Sequence, residues 1–174
     1  MSKAVMLSVR PKWCEKIASG EKTIEVRKTK PNLATPFKAY IYCSQGNDAR
    51  RLRGSWGKVI GEFICNRCCG VVCVGFDGVN ERPQYFTRLD GWRYTPVDNL
   101  LTAAQLTRED LEAYLAGGAG YGWHISDLLI YDQPRALSEF KRATDPCDSC
   151  HKKLGGNIKR PPQSWCYVEA MKDD

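Results

Sequence analysis

The sequence predicts an α+β fold: a mostly antiparallel sheet of about six strands with two main helices. Its 174 residues suit one ordinary domain with a hydrophobic core of its own. The helices do not alternate regularly with the strands, which argues against repeated βαβ units. Alternating and β-branched segments that predict strands lie at 4–9, 22–29, 37–44, 59–74, 121–131 and 164–170.

Both helices carry sequence signals at their ends. Pro11 suits a first helical position and Gly20 suits the residue just past a helix end, so we predict a helix over 11–19. Thr107 and Asp110 have the spacing of a capping box, which predicts the start of the second helix. The first helix has an apolar stripe made of Trp13, Cys14, Ile17 and Ala18.

Charged residues gather just after the first predicted helix. Strand alternation from residue 22 places Glu25 and Arg27 on one face and Lys22 on the other. If the turn at Gly20 swings Lys22 around the strand end, the three side chains can share one cleft. The residue types then fit a ligand with a base and a phosphate. The alternative interpretation is an exposed ion pair between Glu25 and Arg27, which would contribute only about 0 to 1 kcal/mol to stability.

The same stretch resembles the opening of the ASCH domain, a branch of the PUA-like superfamily. Later segments resemble later strands of that domain in the same order, so the resemblance covers nearly the whole chain. The opening segment is LSVRPKWCEKIASGEKTIEVRKTKP, with Gly20, Lys22, Glu25 and Arg27 as its key positions. The later segments are GKVIGEF at 57–63, YGWHISDLLIYDQP at 121–134 and RPPQSWCYVE at 160–169.

The resemblance implies a fold and a function. It implies one ASCH/PUA-like domain over 1–174, an antiparallel β-barrel with the first helix over one mouth and an insertion at about 75–106. It also implies binding of RNA, a nucleotide or a modified nucleoside in a basic cleft. The cleft residues we expect are Arg10, Trp13, Lys22, Glu25 and Arg27. Replacing Lys22 or Arg27 with Ala should then weaken binding and leave thermal stability nearly unchanged.

The alternative function is a small hydrolase, amidohydrolase-like or ribonuclease-like, acting on a nucleoside or RNA. One small ASCH branch hydrolyses the acetyl amide of N4-acetylcytidine with a Lys, a Thr and a Glu. Lys22 matches that lysine, but Glu25 stands where the threonine is required, and Glu109 and Glu112 are loose candidates for the second carboxylate. Lys22 and Glu25 are therefore the candidate catalytic pair for a different acid/base reaction.

Charge and composition limit the partners. The formal net charge is +6, and residues 1–60 hold 13 Lys/Arg against 4 Asp/Glu, so the basic bias surrounds the opening stretch. This field favours a phosphate-bearing partner, although a plain solvated surface would look the same. The sequence contains no apolar run long enough to span a membrane and no signal peptide, so we expect a cytoplasmic monomer.

Nine cysteines without a secretory signal are expected to be reduced thiols or metal ligands. Cys147 and Cys150, in a turn-rich loop beside His151, are the candidate zinc ligands, with no other cofactor expected. Cys65 and Cys68 have the same spacing, but an uninterrupted strand over 59–74 would place them on opposite faces. Only a bulge would allow them to chelate together, and Gly61 and Gly70 could each bend that strand.

Two further features have competing interpretations. The loop at 45–56 carries Arg50, Arg51 and Arg53 beside Trp56, which fits either a phosphate-and-stacking surface or an ordinary basic loop, and we favour the latter. His124 could be catalytic, but a single histidine in a strand is more often a packed residue with a satisfied hydrogen bond.

Overall fold

The computed structural model of the protein describes residues 2–46, 53–79, 81–88, 93–143 and 156–171. Within these ranges the chain forms eight strands and three α-helices. The strands are β1 (Lys3–Val9), β2 (Ile24–Arg27), β3 (Phe37–Cys43), β4 (Lys58–Phe76), β5 (Pro83–Arg88), β6 (Tyr94–Pro96), β7 (Gly120–Ala136) and β8 (Trp165–Glu169). The helices are α1 (Pro11–Ala18), α2 (Asp98–Ala104) and α3 (Arg108–Leu115), and short 3-10 turns lie at Arg53–Ser55 and Leu137–Glu139.

The chain divides into two compact units. The first comprises residues 1–18, 37–64 and 127–174, and the second comprises 19–36 and 65–126. Strands β4 and β7 are each divided between the two units. Each unit buries its own set of apolar side chains, so each has a core that can be described by itself.

The sheet of the first unit has the strand order β7-β4-β3-β1-β8. Strand β1 lies inside this sheet, where it pairs in parallel with β3 and antiparallel with β8. Helix α1 follows β1 and buries Pro11, Cys14 and Ile17. The core of this unit contains Ala4, Met6, Tyr40, Tyr42, Val59, Phe140, Ile158 and Val168.

The sheet of the second unit has the order β2-β7-β4-β5-β6. Strand β2 pairs antiparallel with β7, with Glu25 opposite Trp123 and Ile24 opposite His124. Helices α2 and α3 belong to this unit, and α3 begins with the predicted capping box between Thr107 and Asp110. The core contains Ile24, Val26, Cys69, Val71, Tyr85, Val97, Leu100, Leu101, Ala104, Leu111 and Leu115.

The α+β class is confirmed, and the first helix ends at Ala18, one residue earlier than predicted. The sheet is mixed, because β1 and β3 are parallel; the chain returns to β3 only after a long connection, as a parallel pair requires. In each unit the strand order is a path that does not return to its first strand, so the barrel stays a prediction. The single domain over 1–174 also stays a prediction.

Three segments differ from the sequence expectation. The insertion at 75–106 contains β5, β6 and α2. Its prolines lie at strand ends, where a missing N–H is tolerated: Pro83 is the first residue of β5 and Pro96 is the last residue of β6. Strand β7 continues past Pro134, which lies in the edge strand of the first unit's sheet. Strand β2 is shorter than predicted and begins at Ile24.

Among the described residues, no helix is long and apolar enough to cross a membrane.

Candidate functional site

Three charged side chains form a buried cluster around β2. The ammonium of Lys22 lies 3.3 Å from Glu25 Oε2, and the guanidinium of Arg27 lies 2.9 Å from Glu25 Oε1. Lys22 is 2 % exposed, and Glu25 and Arg27 are each 7 % exposed. Both carboxylate oxygens of Glu25 are therefore engaged by cations, and Glu25 fixes the positions of the two cations.

Lys22 reaches this cluster because it precedes the strand. Gly20 has φ +78°, a left-handed conformation that turns the chain sharply after α1. The Lys22 ammonium then donates a 2.6 Å hydrogen bond to the carbonyl of Ala104, at the C-terminal end of α2. A cation is favoured at that end of a helix. The turn thus brings Lys22 to Glu25, which regular alternation alone would not allow.

The backbone around Lys22 is held by the same helix and by β7. The Thr23 N–H donates to the carbonyl of Ala103 at 2.8 Å, and its carbonyl accepts from the N–H of Ile125 at 2.9 Å. Glu25 faces Trp123 in the register, and Trp123 is fully buried. The charged cluster therefore sits on backbone that is fixed on both sides within the second unit.

A basic and aromatic surface continues from the end of β2. The Lys28 ammonium lies over the ring of Tyr114, 5.4 Å from its centroid, and the Lys30 ammonium lies over the ring of Tyr121 at 5.5 Å. Both lysines are exposed, as is Tyr114, and Tyr121 is half-buried. We call these four residues the lysine–tyrosine surface; they combine positive charge with flat apolar rings.

Crystal structures of one bacterial protein share the architecture of this chain. The ASCH protein of Zymomonas mobilis matches with a TM-score of 0.53, 17 % sequence identity, and coverage of 95 % of this chain and 87 % of that chain. The chain has the fold of an ASCH domain. Two mutants of the same protein match with TM-scores of 0.56 and 0.57, at 17 % and 16 % identity. No protein-family model matches the sequence, and no curated protein matches it.

On this ASCH fold the five predicted cleft residues fall in two units. Lys22, Glu25 and Arg27 are together in the second unit. Arg10 and Trp13 belong to the first unit, where Arg10 is exposed at the start of α1 and Trp13 is half-buried under the Lys12 ammonium, 4.2 Å from the ring centroid. Their contribution to a common cleft stays a prediction.

The loose candidates for a second catalytic carboxylate lie on α3. Glu109 is exposed in the first turn of that helix. Glu112 is half-buried and lies near Tyr85. The burial of Tyr85 raises the pKa of its hydroxyl, and the negative charge of Glu112 raises that pKa further. The carboxylate that the Lys22 ammonium contacts at 3.3 Å is that of Glu25, and the catalytic role of Lys22 and Glu25 remains a prediction.

His124 is half-buried beside Arg67, whose guanidinium nitrogen lies 3.4 Å from both ring nitrogens. Burial lowers the pKa of His124, and the positive charge of Arg67 lowers it further. The imidazole is therefore favoured in its neutral form at neutral pH. This environment is that of a packed side chain with a polar neighbour, the interpretation we favoured from the sequence.

The cysteine predictions have two different outcomes. Cys147 and Cys150 lie outside the described residues, as do Arg50 and Arg51 of the basic loop. The expectation for Cys65 and Cys68 was wrong, because their sulfur atoms lie 3.6 Å apart. The strand departs from regular alternation at Asn66 and Arg67, two consecutive exposed residues. Among the described residues no group of three or more His, Cys, Asp or Glu side chains is arranged to hold a metal ion.

The lysine–tyrosine surface was not predicted from the sequence. Lys28 and Lys30 are adjacent to the opening segment, but Tyr114 and Tyr121 are about ninety residues away along the chain and come to them through the β2–β7 pairing and α3. The excess of basic residues in the first third of the chain was the available signal. It indicated a positive surface but could not identify its aromatic partners.

Proposed function

We propose that this protein binds RNA, a nucleotide or a modified nucleoside through a basic cleft around β2. The observation that carries the proposal is the placement of charged and aromatic groups around β2 and the residues that follow it. Lys22, Glu25 and Arg27 form a fixed cluster, and the lysine–tyrosine surface follows directly after it. The ASCH fold is compatible with this function, although a fold does not determine a function.

The charged cluster and the lysine–tyrosine surface suit different parts of a ribonucleotide. Exposed lysines attract phosphate groups without reading sequence. Tyrosine rings offer a flat surface on which a base can stack, an interaction worth about 1–3 kcal/mol per base. Glu25 holds Lys22 and Arg27 in fixed positions, and a pre-oriented guanidinium can bind a phosphate with two parallel hydrogen bonds. Arg10 and Trp13, the further cleft residues predicted from the sequence, belong to the first unit.

Binding of a short fluorescent single-stranded RNA of mixed sequence, measured by anisotropy over a range of salt concentrations, tests the surface. The double variant Lys28→Ala/Lys30→Ala should bind more weakly and reduce the magnitude of the slope of log K against log salt by about 1.4, because two phosphate contacts to a single strand are lost. Tyr114→Ala should weaken binding by about 5- to 150-fold, corresponding to the loss of one stacked base.

The matched control is Lys159→Ala/Arg160→Ala, which removes the same charge from two exposed residues of the first unit. This control should change the affinity much less than the Lys28/Lys30 variant. Equal weakening by both double variants would mean a diffuse basic surface, and absence of RNA binding by the wild type would exclude RNA as the ligand. RNA recovered in shortened form would favour the hydrolase alternative.

Single variants test the cleft itself. Lys22→Ala and Arg27→Ala should each weaken RNA binding by about 1.5–3 kcal/mol through loss of a charge-assisted hydrogen bond. Trp13→Ala tests the sequence prediction that Trp13 takes part in binding, and an unchanged affinity would exclude Trp13. Because Lys22 and Arg27 are buried, the earlier expectation of unchanged thermal stability is revised, and affinity must be measured well below each variant's Tm.

A further inference from the structure

Two cysteines of β4 form a close pair in the second unit. Cys65 Sγ and Cys68 Sγ are 3.6 Å apart, and the Cys65 thiol also lies 3.4 Å from the carbonyl of Arg67. A disulfide has an S–S distance of about 2.0 Å, so the pair is in its reduced form and needs an approach of about 1.5 Å to close. The residues between them, Asn66 and Arg67, are exposed, so the backbone that links the two cysteines lies at the surface.

The two thiols differ in their environments. Cys65 is fully buried, whereas Cys68 is partly exposed. The hydrogen bond with Cys65 lowers the pKa of the Cys68 thiol; burial opposes this effect, and the nearby charge of Lys30 lowers the pKa further. The hydrogen bond with Cys68, together with burial, raises the pKa of the Cys65 thiol. Cys68 is therefore the more accessible thiol of the pair and the one whose pKa is lowered, whereas Cys65 is buried and its pKa is raised.

The adjacent cysteine has a different role. Cys69 is buried in the core, and its thiol donates to the carbonyl of Gly122 at 3.5 Å. Burial raises the pKa of Cys69. A Cβ on Gly122 would lie 2.8 Å from the Cys69 sulfur, so this thiol is packed against backbone. Cys69 therefore serves as an internal comparison with the same chemistry and no access.

We propose that Cys65 and Cys68 are a reversible redox site that closes to a disulfide on reaction with a hydroperoxide. The Cys68 thiolate attacks one peroxide oxygen and the O–O bond breaks. Cys68 becomes a sulfenic acid, and the other oxygen takes up a proton and leaves as water or an alcohol. The Cys65 sulfur then attacks the Cys68 sulfur, the S–O bond breaks, and water leaves with the Cys65 proton. Two thiols are oxidised by two electrons and one peroxide is reduced.

Tryptic mapping of the full chain after treatment with hydrogen peroxide tests this proposal directly. Because Arg67 stands between the two cysteines, trypsin separates them into peptides 59–67 and 68–88, and only a disulfide keeps the two joined. We expect the joined pair with a loss of two hydrogen atoms and its release by dithiothreitol. Sulfinic acid on Cys68 without the joined pair would overturn the proposal, since that product cannot be reversed by a thiol.

Serine variants identify the sulfur atoms involved. Cys65→Ser and Cys68→Ser should abolish the joined peptides, whereas Cys69→Ser should leave their yield unchanged. Cys65→Ala is the second variant if Cys65→Ser does not fold. Equal yield in Cys68→Ser would contradict the assignment. Stoichiometric zinc in the untreated protein that disappears in Cys65→Ser would also overturn it, because the pair would then be a metal ligand.

Discussion

Replacing Glu25 with Gln is expected to lower the free energy of unfolding by about 3–5 kcal/mol, the cost of removing one partner from a buried ion pair. The change keeps the shape of the side chain and removes its charge. Lys22, 2 % exposed, and Arg27, 7 % exposed, would then lose the carboxylate that lies between them. Each cation would lose its 2.9–3.3 Å ion pair, and the two positive charges would repel each other. Urea-induced unfolding followed by circular dichroism measures the change.

Asp98→Asn is the matched control, because the Asp98 carboxylate also lies 2.9 Å from an arginine, Arg108. Those side chains are 67 % and 43 % exposed, so water solvates both charges when the pair is broken. We expect a change of about 0–1 kcal/mol. If Glu25→Gln has the same small effect as Asp98→Asn, the cluster is solvated in the native protein and its description as a buried network is wrong.

The Glu25→Gln result also bears on the proposed cleft. If Glu25 fixes Lys22 and Arg27, then RNA affinity should fall in Glu25→Gln even where the variant is fully folded. The variant gains positive charge, so simple attraction between the protein and phosphate would increase affinity. Loss of positioning is thus expected to lower RNA affinity, whereas the change in charge alone would raise it. An increase in affinity would show that Glu25 does not position the cations for the ligand.

Local sequence signals predicted the parts of the structure that depend on neighbouring residues. Pro11 and Gly20 delimited α1, and Thr107 with Asp110 identified the start of α3, because caps involve residues only a few positions apart. The cluster of Lys22, Glu25 and Arg27 was predicted as a group for the same reason. Its burial was not, since the covering elements α2 and β7 come from distant segments.

Features that depend on distant contacts could not be predicted from the sequence. The segment at 75–106 was predicted only as an insertion, yet β5 pairs with β4 and β6 pairs with β5. The parallel pairing of β1 with β3 has no local signal either. Cys65 and Cys68 were placed on opposite faces because alternation was assumed to be regular, and two exposed residues between them break it.

Two of the three glycines of β4, Gly61 and Gly70, have opposite roles that the sequence alone does not distinguish. A Cβ built on Gly61 would collide with the backbone carbonyl of Leu129 and lie 3.1 Å from Ile130 Cα, both in β7. Backbone atoms of a paired strand cannot move away as a flexible side chain can. A Cβ on Gly70 would meet the Arg88 carbonyl oxygen at 3.5 Å and Arg88 Cβ at 3.6 Å, which are ordinary contacts.

Gly61→Ala is therefore expected to lower the free energy of unfolding by about 3 kcal/mol, at the upper end of the range for overpacking. Gly70→Ala adds the same methyl group to the same strand and should change it by no more than about 1 kcal/mol, with stabilisation as the favoured sign, because Ala restricts the unfolded chain. Urea titrations of both variants and the wild type provide the comparison. Equal effects of the two substitutions would contradict the close approach of β4 and β7 at Gly61, and with it the strand order of the first unit at that position.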